Sequence, residues 1–243
     1  MSLKTQTLRK PIDPAGIIIS VLLIVSWFIS LYYLLNWDFS YLSLLTYFAI
    51  YIQTHLYTGI FITSHDAMHG TVSKRRKVND FIGRLTCLIF AFNSYDRLMV
   101  KHHKHHRFVA SDEDPDYHES GTFWMWYWNF LKSYITVKQM ILMTVSLQLL
   151  NLIFPFENLL LFWILPSILS TFQLFYFGTY IPHKDGHHNH NKHKSASLKK
   201  NHLWAFVSCY FFGYHYEHHD APGIPWWRLW LIKKAETPAT VNH

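Results

Sequence analysis

Cysteine is scarce in this chain of 243 residues, which contains only Cys87 and Cys209. The two lie far apart and outside any C-x-x-C pair, so a disulfide framework and thiolate metal ligation are both excluded. Basic residues are missing over long stretches, because no Lys or Arg occurs between residues 11 and 73 or between 139 and 183. An internal repeat of the solenoid type is also absent, which excludes a repeat protein.

The remaining composition is segregated along the chain. Half of the residues are hydrophobic, 18% are aromatic and the net charge is +7, yet the mean hydropathy is only +0.04. Apolar runs alternate with segments rich in His, Lys and Arg. In a soluble protein this charge would raise the question of nucleic acid, but beside membrane-length apolar runs it favours anionic lipid headgroups. The sequence therefore predicts a membrane protein that does not bind nucleic acid.

Four apolar stretches approach the roughly 20 residues that span a hydrocarbon core. They are residues 14–36, 41–64, 139–156 and 158–181. Short turns join them in pairs, so we expect an all-α integral membrane protein with about four transmembrane helices in two hairpins. Asp13 and Pro14 predict an N-cap and an N1 proline for the first helix. Shorter apolar runs at 81–92 and 203–213 predict interfacial or re-entrant segments.

The charge distribution predicts the orientation. All 22 Lys and Arg residues lie in the N-terminal tail, the middle segment and the C-terminal region, and positive charge marks the cytoplasmic side. We expect one membrane domain over 1–243, with both termini and a helical metal-binding cap (65–138 and 182–243) in the cytoplasm. The first apolar run is too long for a signal-peptide core and lacks a clear cleavage site, so we expect it to be retained.

The 18 histidines are concentrated in patterned groups. An H-x-x-x-H pair follows the second apolar stretch, and two H-x-x-H-H copies follow later: His65, His69, His102, His105, His106, His215, His218 and His219. Residues four apart share a helical face and can reach one ion. Within each H-x-x-H-H we expect the i, i+3 pair to share a face and the adjacent histidine to point about 100° away. Such trios suit two metal ions.

Imidazole ligands suit zinc, copper, iron and nickel, so ligand type alone does not choose the metal. A catalytic zinc site needs only three protein ligands, and eight histidines exceed that number. The pattern favours two irons that bind and reduce oxygen. His183, at the end of the fourth apolar stretch, matches the position of His69 and is a ninth candidate.

Other histidines fit the pattern less well. His55 lies within the second apolar stretch and is expected to be buried and hydrogen-bonded, and His103 is expected outside the ligand set. Four more lie in a Lys- and Asn-rich loop and are expected to be bystanders: His187, His188, His190 and His193.

Carboxylates beside the histidines are candidates for orienting the ligands, since a ligating histidine usually donates its other N–H to such a group. Asp66 and Glu217 lie within the first and third groups. Asp114, Asp116 and His118 follow the second group in a segment that predicts either a buttress for the metals or a solvated acidic turn.

Four strings of residues carry a resemblance to a known family. They are Phe61-Ile-Thr-Ser-His65-Asp-Ala-Met-His69-Gly-Thr-Val, Asp114-Pro-Asp116-Tyr-His118, Gln173-Leu-Phe-Tyr-Phe-Gly-Thr-Tyr-Ile-Pro-His183, and Phe212-Gly-Tyr-His215-Tyr-Glu-His218-His219 followed by Pro222 and Pro225-Trp-Trp-Arg-Leu229. The histidine groups resemble those of the membrane di-iron fatty-acid desaturases and hydroxylases. The intervening strings are similar to bacterial and cyanobacterial beta-carotene ketolases, over about residues 55–230.

The resemblance implies oxidation of C4 of a beta-ionone ring to a ketone, from beta-carotene through echinenone to canthaxanthin. It implies two Fe²⁺ ions held by the eight patterned histidines and His183, with O₂ as co-substrate and electrons from a reduced carrier such as ferredoxin. It also implies a bacterial inner membrane location. Where related desaturases carry an amide side chain one turn before the last ligand, this chain has Thr179, so any assistance through water would have to differ.

A carotenoid dissolves in the bilayer, so its enzyme needs an apolar tunnel beneath the metals. Candidates for the tunnel wall are Phe172, Phe175, Tyr176, Phe177, Trp124, Trp126 and Trp128, although packing and interfacial anchoring are the better explanation for any single one of them. The histidines do not separate a 4-ketolase from a carotenoid 3-hydroxylase or an acyl-lipid desaturase or hydroxylase. A metal transporter is disfavoured, because no acidic or histidine path crosses the membrane-length stretches.

Overall fold

The computed structural model describes residues 14–119, 122–185 and 191–235. All regular secondary structure in these ranges is helical. The helices in chain order are α1 (Ala15–Leu35), α2 (Leu44–Met68), α3 (Arg76–Ile89), α4 (Tyr95–Phe108), α5 (Phe123–Tyr134), α6 (Val137–Leu150), α7 (Phe156–His183), α8 (His202–Cys209), α9 (His215–Asp220) and α10 (Trp226–Ala235).

Polar side chains fix where several helices begin. The Ser43 hydroxyl accepts a hydrogen bond from the Leu45 N–H at the start of α2, and Ser94 accepts one from Arg97 at the start of α4. Thr136 and Gln139 form a reciprocal capping box on α6. These caps satisfy N–H groups that have no partner within the helix. Pro14 occupies the cap position of α1 rather than the predicted first helical position, and Asp13 lies outside the described residues.

Helices α1, α2 and α7 form the main apolar core. Trp27 of α1, Tyr57 of α2 and Trp163 of α7 belong to one buried cluster. The amide of Asn158, at the start of α7, donates to the backbone oxygens of Leu34 (2.9 Å) and Trp37 (2.8 Å). This contact joins the first turn of α7 to the end of α1.

Large apolar side chains are exposed on the outer faces of these helices. Leu22 and Phe28 of α1 are 59% and 52% exposed, a cost that a lipid environment removes. Helices α1 and α7 are long and apolar enough to cross a membrane. Helix α6 is shorter than the predicted stretch 139–156: it ends at Leu150, and its 14 residues rise only about 21 Å.

Helices α3 and α4 form a hairpin that packs beside the second half of α2. The Tyr57 hydroxyl donates to the Ile89 oxygen at 3.3 Å, and the Tyr95 hydroxyl donates to the Ala67 oxygen at 2.8 Å. The apolar run at 81–92 is therefore the end of α3 and its turn. The hairpin holds the histidines of α4 next to the end of α2.

Two segments of α7, Leu160–Ile164 and Tyr176–Tyr180, have π-helical geometry. The second one ends just before the last turn of the helix, Ile181–His183. Such wide turns change the direction in which the following side chains point and are frequent at functional sites.

Candidate metal centre

The ends of α2 and α7, together with α4 and α9, bring nine histidines to one place. Their ring nitrogens form two groups, and within each group the nitrogens lie within 4.8 Å of one another. The five-histidine group consists of His65, His69, His102, His106 and His218. The four-histidine group consists of His105, His183, His215 and His219. All eight patterned histidines and His183 are thus brought together.

Each H-x-x-H-H copy contributes to both groups, but the pairing differs from the prediction. The pair that shares a group is i, i+4: His102 with His106 on α4, and His215 with His219 on α9. The histidine between them joins the other group. Residues four apart differ by about 40° around a helix and residues three apart by about 60°, so the i, i+4 pair converges better.

The spacing of the ring nitrogens suits a metal ion. The Nε2 atoms of His69 and His102 are 2.7 Å apart, and those of His215 are 2.9 Å from both His183 and His219. Imidazole nitrogens bind a zinc-sized ion at about 2.0–2.1 Å, so two of them at a right angle lie about 3 Å apart. The nitrogens occupy positions that neighbouring ligands of one ion would take.

Burial keeps these rings neutral, which metal ligation requires. Burial, and then the neighbouring His105, lowers the pKa of His106 to about 2. Burial likewise lowers the pKa of His218 and of His219 well below the ordinary value. Rings that do not take up protons keep their nitrogen lone pairs free to bind a cation. Because these ligands are neutral, a bound metal ion would keep its positive charge.

His105 is the exception, because a carboxylate faces it. Its Nδ1 lies 2.9 and 3.0 Å from the two carboxylate oxygens of Asp114. Burial lowers the pKa of His105, but the Asp114 and Asp116 carboxylates outweigh burial and raise it. Asp114 is itself held by the N–H groups of Ala110 and Asp116, each at 2.9 Å. Within the acidic segment, Asp114 therefore faces a histidine of the four-histidine group, while Asp112 is exposed.

A large cavity ends at the histidines. Its volume is about 630 Å³, and His65, His102, His105 and His215 lie in its wall. The wall continues along α6 and α7 with mostly apolar side chains, which include Met140, Met143, Leu147, Ile164, Ile168 and Leu174. The metal centre thus borders an apolar space between the helices.

The sequence profile of the fatty acid desaturase family matches residues 39–154 and 132–242. The chain belongs to the fatty acid desaturase family. It is 38% identical over 170 residues to a beta-carotene ketolase of Paracoccus sp., covering 68% of this chain and 70% of that protein. A second Paracoccus sp. beta-carotene ketolase is 36% identical, with 70% and 72% covered.

An algal relative is similar over a smaller part of its own length. The zeaxanthin 4-ketolase of Chlamydomonas reinhardtii is 40% identical over 173 residues, which are 68% of this chain and 39% of that protein. No solved structure matches the chain.

In this desaturase-family chain the aromatic residues predicted for the tunnel lie beside the cavity. Phe172, Phe175, Tyr176 and Trp124 do not belong to its wall. They pack around Phe123, whose ring centroid is 5.4 Å from those of Phe172 and Phe175, and Trp124 is 70% exposed. The aromatic cluster joins α5 to α7 from outside, so the sequence predicted aromatic packing but not the wall of the cavity.

The other polar candidates have different surroundings. Glu217 is buried, and its carboxylate accepts from Ser197 (2.5 Å) and Lys233 (2.6 Å) instead of a histidine of either group. Asp66 lies 3.6 Å from His65 Nδ1, beyond hydrogen-bond distance, and accepts from the Trp226 N–H. Thr179 lines the cavity. His118 is half-buried and belongs to neither group.

The remaining histidines lie outside the two groups. His55 is stacked on Tyr210, with ring centroids 4.2 Å apart. Among the described residues, neither of its ring nitrogens has a hydrogen-bond partner, so the expected hydrogen bond is not found there. The His103 ring is exposed, with its centroid 5.9 Å from that of His69. His193 lies 3.3 Å from Asp220, whereas residues 186–190, with the other loop histidines, lie outside the described residues.

Two contacts of the site were not anticipated. The Phe212 ring packs edge-on against His65 and His215, with centroids 4.8 and 5.6 Å away, and therefore contacts both groups. Tyr134 donates its hydroxyl proton to Asp116 at the wall of the cavity. Phe212 lies three residues before His215 in a glycine-containing string, and this proximity could have indicated its contact with the histidines. No local motif marks Tyr134.

Proposed function

We propose that the chain is a beta-carotene 4-ketolase of the membrane. It would convert the C4 methylene of a beta-ionone ring to a ketone, from beta-carotene through echinenone to canthaxanthin. Two successive O₂-dependent hydroxylations give a gem-diol, which loses water. The observation that carries the proposal is the position of the two histidine groups at the end of a large apolar cavity, in a chain whose relatives are named as ketolases.

The cavity supports a long apolar substrate. Its wall follows α7 from Ile164 to Thr179, which corresponds to about 20 Å along a helix. A ring at the histidine end and a polyene between α6 and α7 would fill such a space. The apolar wall would exclude bulk water from the reacting carbon and fix which methylene faces the histidines.

The donor set fits two ferrous irons, one at each histidine group. When bound, they would supply the activation of O₂ that the oxidation needs. The chain's own contribution is to keep the imidazoles neutral by burial and to orient them. Asp114 would hold the His105 ring through Nδ1, and the Lys194 backbone oxygen, 3.2 Å from Nδ1, would do the same for His183.

For the membrane we propose four spans, at about 14–36, 41–64, 139–156 and 158–181, within one domain over 1–243. The cytoplasmic side would carry both termini and the metal-binding regions 65–138 and 182–243. The charge asymmetry of the sequence supports this orientation, and the exposed apolar faces of α1 and α6 support contact with lipid. The membrane would be a bacterial inner membrane.

A second cavity suggests how electrons arrive. It has a volume of about 270 Å³ and is lined by His106, Arg107, Lys192 and Lys194, among others. Its basic side chains suit an acidic one-electron carrier such as reduced ferredoxin. Because His106 belongs to the five-histidine group, a carrier bound here would lie close to the metal centre without blocking the apolar cavity.

The proposal is tested by expressing the gene in a bacterium that accumulates beta-carotene and separating the pigments by chromatography. We expect echinenone and canthaxanthin, and none of either with the His215→Ala variant, which removes a member of the four-histidine group. Zeaxanthin without ketones would identify a 3-hydroxylase, and unchanged beta-carotene with altered acyl chains a lipid enzyme. Iron in the purified protein should approach two per chain, whereas zinc alone in an active preparation would contradict the di-iron assignment.

A further inference from the structure

Tyr134 and Asp116 form a polar pair in the wall of the large cavity. Both residues line it, and the Tyr134 hydroxyl donates to Asp116 Oδ1. Asp116 Oδ2 lies 3.8 Å from His105 Nδ1, so the pair is adjacent to the four-histidine group. Tyr134 is half-buried because one side of it faces the cavity.

The surroundings hold this pair in place. The Asp116 backbone oxygen accepts from the indole N–H of Trp126 at 2.5 Å, and Trp126 is buried. The Lys101 ammonium lies over the Tyr134 ring, 5.0 Å from its centroid, and donates to the Ser133 backbone oxygen. The polar pair is therefore a fixed part of a mostly apolar wall.

The pair offers hydrogen-bond acceptors to a ligand. The phenol has one proton, which it donates in the hydrogen bond to Asp116. The lone pairs of the phenol oxygen therefore remain free to accept a hydrogen bond from a group in the cavity. The partner that suits it is a hydroxyl group on an apolar molecule. A molecule without a hydroxyl leaves Tyr134 and Asp116 bonded to each other, and no buried polar group loses its partner.

We propose that Tyr134 and Asp116 form a subsite that binds the 3-hydroxyl of a hydroxylated carotenoid ring and so sets the preference between hydroxylated and plain rings. This inference rests on the proposed function. In a beta-ionone ring C3 is bonded to C4, so a ring whose C4 faces His105 places its C3 substituent beside the pair. Tyr134 would be a specificity-determining residue.

The test measures kcat/KM for zeaxanthin and for beta-carotene, offered together to the purified iron-loaded enzyme in liposomes with reduced ferredoxin. In Tyr134→Phe we expect the ratio of kcat/KM for zeaxanthin to kcat/KM for beta-carotene to fall about tenfold. This is the effect of losing one hydrogen bond to an acceptor that is itself hydrogen-bonded to a carboxylate. Tyr127→Phe is the matched control, because Tyr127 also lines the cavity. Its ratio should match that of the wild type. An unchanged ratio in Tyr134→Phe, or an equal fall in Tyr127→Phe, would overturn the subsite.

A second measurement uses only the wild-type enzyme, in case Tyr134→Phe loses iron or does not fold. The dimethyl ether of zeaxanthin keeps the bulk of the ring substituent but cannot donate a hydrogen bond, so we expect it to react about tenfold less efficiently than zeaxanthin. Equal efficiency of the two would contradict the subsite alone. A wild-type enzyme that forms no ketone from any of these pigments would contradict the proposed function itself.

Discussion

The two histidine groups are built in different ways. In the five-histidine group, α2 and α4 each supply an i, i+4 pair and α9 supplies His218, while two of the rings, those of His69 and His106, are only half-buried. In the four-histidine group all four rings are buried and come from three helices. Asp114 holds His105 there, and a backbone oxygen holds His183. The five-histidine group thus has more candidate ligands and is partly exposed. The four-histidine group has fewer ligands, and two of its rings are held by hydrogen bonds from outside the group.

This difference bears on redundancy. A centre with five candidate ligands can lose one and keep four, whereas a centre with four keeps only three. The hydrogen bonds that hold His105 and His183 therefore matter most in the four-histidine group, because a site with few ligands depends on the orientation of every ring. We therefore expect the two groups to respond differently to the same change.

The largest effect is expected from replacing single ligands. If the roughly 10–16 kcal/mol of a structural zinc site is shared by four ligands, each contributes about 3 kcal/mol, or more than a hundredfold in affinity. We expect His183→Ala to lose one iron per chain and ketone formation, and His69→Ala to retain part of both. Iron analysis and pigment chromatography measure this. Equal losses in the two variants would show that the groups do not differ in redundancy.

A smaller effect is expected from Asp114→Asn, which removes the carboxylate that faces His105 but keeps its shape. Loss of such an orienting partner typically lowers metal affinity 10–100-fold. The four-histidine group should release its iron to a chelator first, which a time course of iron release would resolve. Asp112→Asn is the control, since Asp112 is exposed in the same segment. Simultaneous release of both irons from Asp114→Asn would contradict a support specific to this group.

Histidine spacing predicted which residues meet at the centre, because residues three or four apart share a helical face and the H-x-x-x-H pair and His183 lie at the ends of long apolar stretches. It paired them wrongly, since residues three and four further on lie at similar angles from the first, about 60° on one side and 40° on the other, so His102 could pair with either His105 or His106. Long-range contacts were harder to predict. The wall of the cavity depends on how α6 packs against α7, which the hydrophobic periodicity of the sequence does not predict. The hydrogen bond from Tyr134 to Asp116 joins two segments that share no motif.

The two histidine groups share one contact, the Phe212 ring. A Cβ added at Gly178 would lie 2.3 Å from Phe212 Cε1, and the Phe212 ring packs against both His65 and His215. We expect Gly178→Ala to destabilise the protein by about 1–3 kcal/mol, measured by thermal unfolding in detergent. The variant should also bind both irons less tightly, to the same extent. Adding Phe212→Leu should restore part of the stability. Selective loss of one iron would show that Phe212 supports only one group.

The smallest effect is expected at the basic cavity, which reaches the five-histidine group alone through His106. Arg107 is exposed there, and Arg107→Glu reverses a charge that an acidic carrier would meet. We expect the KM for reduced ferredoxin to rise several-fold, with the difference shrinking at high salt because exposed charges are screened. Arg76→Glu, at an exposed position outside this cavity, should leave that KM near the wild-type value. If both variants changed the KM alike, the carrier would be responding to overall charge, and the half-buried side of the five-histidine group would have no special role in electron entry.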